Sequence, residues 1–175
     1  SIYGKTKIKA ENLIRNFEKK NKINYGILRY FNIAGSSPSG KIGLINKNSD
    51  HLFKNFSIEI LKKKPKLKIY GTNYKTKDGS CIRDFIHVSD IAEIHYLVLE
   101  KINKLNISKI LNCGYNKGIS VLQVAKEFKR QSFKKVNIIE TKRRRNDLIK
   151  IIASNKNLKK FINWKPKFNN LSKMV

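Results

Sequence analysis

Tyr25-Gly26-Ile27-Leu28-Arg29-Tyr30-Phe31 is a mostly apolar run of strand length. Such runs are typical of parallel strands that are buried on both faces of a sheet. A helical pattern precedes this run, from about Tyr3 to Lys22, and a long loop rich in glycine and serine follows it from Asn32 to Asp50. A helix, a buried strand and a polar loop in this order are typical of an α/β fold.

The rest of the chain keeps alternating between helix-like and strand-like segments. Strands are predicted at residues 67–70, 85–88, 109–112 and 136–139. Helices are predicted from His51 to about Lys64, from a cap at Ser89 or Asp90, from Ser120 to about Arg130, and over residues 154–161. Ser120-Val121-Leu122-Gln123 matches a capping box. The alternation predicts one α/β protein without internal repeats.

Tyr3 and Lys7 form a Tyr-x-x-x-Lys pair at the start of the first predicted helix. Residues four apart lie on one face of a helix, and Ala10, Ile14 and Phe17 continue that face as an expected buried stripe. A lysine ammonium beside a phenol favours the phenolate, which can serve as a general base near neutral pH. The pair alone is weak evidence, because this spacing arises often by chance.

The net charge of +27 resembles that of nucleic-acid-binding proteins, but composition favours another explanation. The chain has 32 lysines against 7 arginines, with 20 asparagines and 25 isoleucines. Lys, Asn and Ile all have AT-rich codons, and the lysines are scattered over every segment. We therefore expect no specific nucleic-acid partner, although a basic polyanion-binding module or an inactive remnant is an alternative. The chain has no apolar run of the ~20 residues that span a bilayer, and Cys81 and Cys113 are read as reduced thiols of a cytoplasmic protein.

Longer motifs identify a family. The sequence contains Tyr3-Gly4-Lys5-Thr6-Lys7, Leu28-Arg29-Tyr30-Phe31-Asn32-Ile33-Ala34-Gly35, and Asp78-Gly79-Ser80-Cys81-Ile82-Arg83-Asp84-Phe85-Ile86-His87-Val88-Ser89-Asp90. With these motifs the chain resembles the C-terminal half of the UDP-glucose 4-epimerases, which are extended short-chain dehydrogenase/reductases of the NAD-dependent epimerase/dehydratase family. The resemblance covers essentially the whole chain. It implies the C-terminal part of a Rossmann-type doubly wound sheet with a smaller α/β substrate-binding domain.

The resemblance implies an activity: interconversion of UDP-glucose and UDP-galactose through transient oxidation of the sugar C4 by bound NAD. Tyr3 would take the proton from the 4-hydroxyl, and Lys7 would hold the nicotinamide ribose. Tyr30 and Phe31 would lie beside the nicotinamide. No metal is implied, and the complete enzyme would be a homodimer.

The resemblance also implies a UDP-sugar site. Arg83 and Arg144 would bind the diphosphate, and Asp147 would accept from ribose hydroxyls. The other implied substrate-binding residues are Asn32, His51, Leu52, Lys68, Ile69, Tyr70 and Ile151. A bulky Ile151 at the sugar end favours a hexose over an N-acetylated sugar, but a related nucleotide-sugar epimerase or dehydratase is the alternative.

The chain departs from the family pattern at several points. The stretch 42–47 lacks acidic residues, Phe53-Lys54 replaces an Ile-Pro-like pair, and Arg145-Asn146 stands where a pair ending in glycine precedes the aspartate. We expect loss of that glycine to change how Asp147 is presented. The family's glycine-rich turn and its catalytic Ser or Thr lie upstream of Tyr3, so we expect the 175-residue chain alone to be inactive.

The resemblance also predicts a division of the chain. Residues 1–35 are assigned to the end of the NAD-binding Rossmann domain, with the catalytic helix and the following strand. Residues 36–175 are assigned mainly to the substrate-binding region, with some segments returning to the Rossmann sheet.

Overall fold

Helices and strands alternate along the computed structural model, which describes residues 2–46 and 49–175. The helices are α1 (Ile2–Asn21), α2 (Leu52–Leu61), α3 (Val88–Leu105), α4 (Val121–Gln131), α5 (Lys156–Phe161) and α6 (Leu171–Met174). The strands are β1 (Gly26–Tyr30), β2 (Asn32–Ala34), β3 (Lys66–Tyr70), β4 (Ile82–Arg83), β5 (Phe85–His87), β6 (Lys109–Cys113), β7 (Ile119–Ser120), β8 (Asn137–Thr141) and β9 (Lys150–Ile151). The order confirms the predicted α/β class.

Parallel pairing dominates the described strands. β1 pairs with β6, β2 with β5, β3 with β8 and β4 with β9, all in parallel, whereas β4 and β7 are antiparallel. Parallel neighbours need a crossover connection, and helices lie in those connections here. The chain therefore has the crossover architecture of a Rossmann-type sheet, as the sequence predicted.

The core lies where β3 and β5 meet helices α2, α3 and α4. Phe53 of α2 makes edge-to-face ring contacts with Phe85 of β5, at 5.2 Å between centroids, and with Phe128 of α4, at 5.5 Å. Leu67 and Ile69, which alternate with exposed residues on β3, are fully buried. This alternation puts one face of β3 in the core and leaves the other face free to line a cleft.

Helix α1 differs from its prediction, because its apolar stripe is not buried. Ile14 is 41% and Phe17 is 56% exposed, and Ala10 is exposed as well. The described residues hold the helix by polar contacts: Glu11 pairs with Arg29 of β1, and Glu18 accepts from Ser108. No helix within the described residues, α1 included, has the length and apolar character needed to cross a membrane.

Strand β1 was predicted to be buried on both faces, and this is wrong. Its residues are exposed or half-buried. In the described part of the chain β6 is its strand neighbour, and α3 packs against it through Val98 and Ile102, which approach Gly26. The predicted loop 32–50 also begins with a strand, β2, which pairs with β5. Residues 47 and 48 of that loop, and Ser1, lie outside the described residues.

The two predicted helix starts have different outcomes. The capping box of α4 is confirmed: Ser120 Oγ accepts from the Gln123 N–H at 3.0 Å, and the Gln123 side chain accepts from the Ser120 N–H at 2.8 Å. The N-cap of α3, however, is His87 and not Ser89 or Asp90. The imidazole of His87 accepts from the Ser89 N–H at 3.1 Å, and Asp90 is fully buried in the first turn of α3.

Candidate functional site

An open cleft of about 680 Å³ lies beside the exposed face of β3, between the start of α2 and the segment 144–147. Eight of the ten predicted substrate-binding residues line it, and they come from five separate segments of the chain. These residues are Asn32, His51, Leu52, Lys68, Tyr70, Arg83, Arg144 and Asp147. The fold therefore brings together most of the set that the resemblance implies.

Arg83 and Asp147 form an ion pair in this cleft. The side chains are 10% and 23% exposed, so the pair is largely shielded from water. Arg83 also donates to the carbonyl of Ile82 at 2.7 Å. Two of the guanidinium nitrogens are thus held by the protein, which fixes the plane of the group.

Arg144 lies over the ring of Tyr70, with 4.4 Å from its guanidinium carbon to the ring centroid. Arg143 makes the same kind of contact with Tyr74, at 4.0 Å, and donates to the Asn73 side chain at 2.6 Å. A cation over an aromatic ring is attracted by the negative face of the ring. The two stacks hold the arginine-rich segment against β3 and the residues that follow it.

Some of the lining residues that the sequence did not predict lie on one face of α2. Asn55 and Glu59 line the cleft with His51, at intervals of four residues. That spacing places side chains above one another on a helix, so it could have revealed both once His51 was chosen. Cys81 also lines the cleft; it is buried and unpaired, as Cys113 is, and burial raises the pKa of its thiol.

Two of the implied substrate-binding residues do not line the cleft. The side chain of Ile69 is fully buried in the core, because it points to the opposite face of β3 from Lys68 and Tyr70. Ile69 therefore does not present its side chain to the cleft. Ile151 is half-buried on β9, beside Arg83 in the strand register, and it does not line the cleft.

The implied catalytic pair lies at the exposed start of α1. Lys7 Nζ is 5.3 Å from the centroid of the Tyr3 ring, which confirms that the two side chains share a face. Tyr3 is 72% exposed, and neither residue lines the cleft. Tyr30 is the last residue of β1, and Phe31 follows it. Tyr30 is 47% exposed and Phe31 is half-buried.

Asn146, in the turn before Asp147, has a backbone conformation that glycine adopts more readily than other residues do. Asn146 has φ of 60°, in the left-handed region. Asparagine tolerates this conformation better than most residues do. With Asn146 in this conformation, the carboxylate of Asp147 reaches Arg83 in the cleft.

Chemically, the cleft suits a ligand with two adjacent anionic groups and hydroxyls. Two guanidinium groups can each bind phosphate oxygens, while Asn32 and Asp147 offer an amide and a carboxylate for hydroxyl groups. Within residues 2–46 and 49–175, no group of three His, Cys, Asp or Glu side chains is placed to hold a metal ion.

Known proteins share this sequence and this fold. A UDP-glucose 4-epimerase from Azospirillum brasilense is 36% identical over 173 residues, which make up 99% of this chain and 50% of that protein. The structure of a UDP-glucose 4-epimerase from Stenotrophomonas maltophila, with NAD and formylated UDP-arabinopyranose, matches 98% of this chain and 52% of its own at 29% identity, with a TM-score of 0.90. The UDP-Glc/GlcNAc 4-epimerase of Campylobacter jejuni matches 97% of this chain and 52% of its own at 34% identity, with a TM-score of 0.78.

The chain thus spans about half the length of the relatives it matches. The model of the NAD dependent epimerase/dehydratase family matches residues 1–114, which include the Tyr3–Lys7 pair and Arg83. Sequence motifs, parallel topology and this match agree, and the chain belongs to the NAD dependent epimerase/dehydratase family.

Proposed function

We propose that this chain is the UDP-sugar-binding half of a UDP-glucose 4-epimerase, and that the complete enzyme interconverts UDP-glucose and UDP-galactose. The observation that carries the proposal is the cleft in which Arg83, Arg144, Asp147 and Asn32 converge. These residues lie 32 to 147 positions into the chain and are brought together only by folding. Their chemistry matches a nucleoside diphosphate: guanidinium groups for the phosphates, and a carboxylate for the ribose hydroxyls.

The residues at the start of α1 fit the nicotinamide ribose of NAD. The Lys7 ammonium lies 5.3 Å from the centroid of the exposed Tyr3 ring, and an ammonium and a phenol can both hydrogen-bond ribose hydroxyls. NAD, when bound, supplies a reversible hydride acceptor for the sugar C4. In this proposal Tyr3 takes the 4-hydroxyl proton and later returns it, Lys7 holds the nicotinamide ribose, and Tyr30 and Phe31 exclude water beside the nicotinamide ring.

The activity can be tested in a fusion that joins the first half of the Azospirillum brasilense relative to this chain. We expect the fusion to equilibrate UDP-galactose with UDP-glucose. Tyr3→Phe removes the proton acceptor and should lower kcat by about 10²–10⁴-fold. Tyr96→Phe is the matched control, because Tyr96 is an exposed tyrosine of α3 whose hydroxyl donates to Glu100. A fusion that binds NAD and UDP but never equilibrates the two sugars would contradict the proposal.

A second candidate is an epimerase of N-acetylated UDP-sugars. The observation that favours it is the likeness to the UDP-Glc/GlcNAc 4-epimerase of Campylobacter jejuni. Ile151, which the resemblance implies at the sugar end, lies beside Arg83 in the strand register but does not line the cleft, so it gives no argument against this candidate. Turnover of UDP-galactose and UDP-N-acetylgalactosamine by the fusion separates the two candidates, and a clear preference for the N-acetyl sugar would overturn the first.

We also propose that residues 1–35 belong to the NAD-binding domain and residues 36–175 mainly to the substrate-binding region. Parallel pairing supports the return of later segments to the NAD-binding domain, since β6 pairs with β1 and β5 pairs with β2. The exposed apolar side chains of α1 support a homodimeric complete enzyme. We place the enzyme in the cytoplasm, which the two unpaired cysteines support.

A further inference from the structure

Asp84 is a buried carboxylate directly after the cleft residue Arg83. It has no exposed surface. Its Oδ1 accepts from the N–H of Tyr115 at 3.1 Å, and its Oδ2 accepts from the N–H groups of Asn116 at 2.9 Å and Ala153 at 3.2 Å. One side chain therefore joins β5 to two segments that follow β6 and β9.

The backbone of Asp84 joins two further segments that carry cleft residues. Its carbonyl accepts from the Asn32 N–H at 3.1 Å, and its own N–H donates to the Ile151 carbonyl at 3.0 Å. Its side chain reaches Ala153, two residues further along the same segment. The position of β9 relative to β4 is thus fixed at two points by a single residue.

The carboxylate is held by backbone N–H groups and by no ion pair within the described residues. Burial raises the pKa of its carboxyl, and the donated N–H bonds oppose that shift. The carboxylate is closely packed: a Cβ on Gly114 would lie 2.7 Å from Asp84 Oδ2 and 2.6 Å from the Cβ of Ala153. Three converging donors and this close packing make the site specific for a small, planar acceptor.

We propose that Asp84 is a positioning residue for nucleotide binding: it anchors the segment around β9 so that Asp147 meets Arg83 in the cleft. Asp147 lies three residues before β9, and Ala153 lies two residues after it. When the carboxylate no longer holds Ala153, β9 keeps its backbone bonds to β4, and Asp147 at the other end of the segment is held less firmly against Arg83. The inference rests on the proposed function, because it assumes that the cleft binds the diphosphate of a UDP-sugar.

Asp84→Asn tests the inference with little change in shape. An amide offers one acceptor oxygen and turns an NH₂ group towards an N–H, so one of the three bonds is replaced by a donor facing a donor. We expect the dissociation constant for UDP, measured by calorimetry on the full chain, to rise about tenfold, as for a lost hydrogen bond to a charged group.

Asp90→Asn is the matched control. Asp90 is equally buried and accepts from the Tyr115 hydroxyl. It also accepts from the N–H groups of Lys167 and Phe168, both at 3.1 Å. None of these groups lines the cleft. Tyr115 contacts both carboxylates but does not line the cleft. We therefore expect Asp90→Asn to lower the melting temperature while raising the UDP dissociation constant clearly less than Asp84→Asn does.

A double-mutant cycle distinguishes positioning from general destabilisation. If Asp84 acts through Arg83, the combined change Arg83→Ala and Asp84→Asn raises the dissociation constant little beyond Arg83→Ala alone. Fully multiplicative effects would overturn the inference.

Gly114→Ala provides a second route if Asp84→Asn does not fold. Its methyl group would displace the carboxylate of Asp84 without changing any charge, and we expect a similar loss of UDP affinity. Unchanged affinity in a folded Asp84→Asn or Gly114→Ala variant overturns the inference and leaves the proposed function intact. Absence of UDP binding by the wild-type chain overturns both.

Discussion

Arg83 and Asp147 are 64 residues apart in sequence and form an ion pair in the cleft. The pair joins the segment 78–90, which carries the most distinctive motif, to the arginine-rich segment before β9. The two charges neutralise each other, and they are the groups that we assign to binding the diphosphate and the ribose. The same contact therefore stabilises the fold and shapes the candidate site.

Loss of the Asp147 charge should destabilise the chain. Asp147→Asn leaves the guanidinium of Arg83, whose side chain is only 10% exposed, without its counter-ion. We expect urea denaturation to show a loss of about 1–3 kcal/mol in the free energy of unfolding. Glu93→Gln breaks the exposed pair with Lys167 and should cost less than about 1 kcal/mol. Equal losses in the two variants would show that the cleft pair has no special weight.

The stack of Arg144 on Tyr70 should matter for nucleotide affinity. Arg144→Lys keeps the charge but loses the planar fork and the contact with the ring. We expect the UDP dissociation constant to rise about tenfold, as for a charge-assisted hydrogen bond. Arg145→Lys, the same change at the adjacent exposed residue, is the control and should leave the constant unchanged. The role assigned to Arg144 fails if both variants bind UDP as the wild type does.

Gly79 should be required for the loop that leads to the cleft. It has φ of 76°, and a Cβ there would lie 1.9 Å from the backbone oxygen of Thr72. We expect Gly79→Ala to lower the free energy of unfolding by about 2–5 kcal/mol, because the steric clash adds to the cost of the left-handed conformation. Gly40→Ala isolates the conformational cost, because Gly40 has φ of 69° and a Cβ there would have no neighbouring atom within 4 Å. We expect about 1–2 kcal/mol there, and a similar loss at both positions would refute the steric argument.

Stability should depend on pH through Glu127. Hydrogen bonding to Arg130 lowers the pKa of this carboxyl from 4.5 to about 2. A lowered folded-state pKa contributes stability above the unfolded value, which is lost as the pH falls towards the folded one. We expect Glu127→Gln to be less stable than the wild type near neutral pH. The difference in urea midpoint should shrink as the pH falls from 4.5 towards 2; a constant difference would contradict the assignment.

Local patterns in the sequence predicted local structure well. The capping box at Ser120 and the neighbouring side chains of Tyr3 and Lys7 are both confirmed, because each depends on residues three or four apart. The expected burial of α1 and β1 is wrong, since burial depends on which distant elements pack against a segment. Periodicity shows which face is apolar and does not show what covers it.

The contacts that shape the cleft had little sequence signal. Nothing near Asp84 marks it as an acceptor for N–H groups from residues 115, 116 and 153. The cap of α3 by His87 was missed because Ser89 and Asp90 are the commoner capping residues. Asn146 was read as a departure, and its φ of 60° lies in the left-handed region that favours glycine. Each depends on a three-dimensional position that composition and spacing do not encode.

The most direct test of a UDP-sugar cleft is a titration of the chain with UDP-glucose at low and at moderate salt. We expect saturable binding that moderate salt weakens only slightly, and a dissociation constant about 10–100-fold higher in Arg83→Ala. Arg130→Ala, at an exposed arginine of α4, should bind as the wild type does. Binding that collapses with salt and is equally affected by both variants would contradict the account, because loose attraction of polyanions to a chain of net charge +27 behaves in that way.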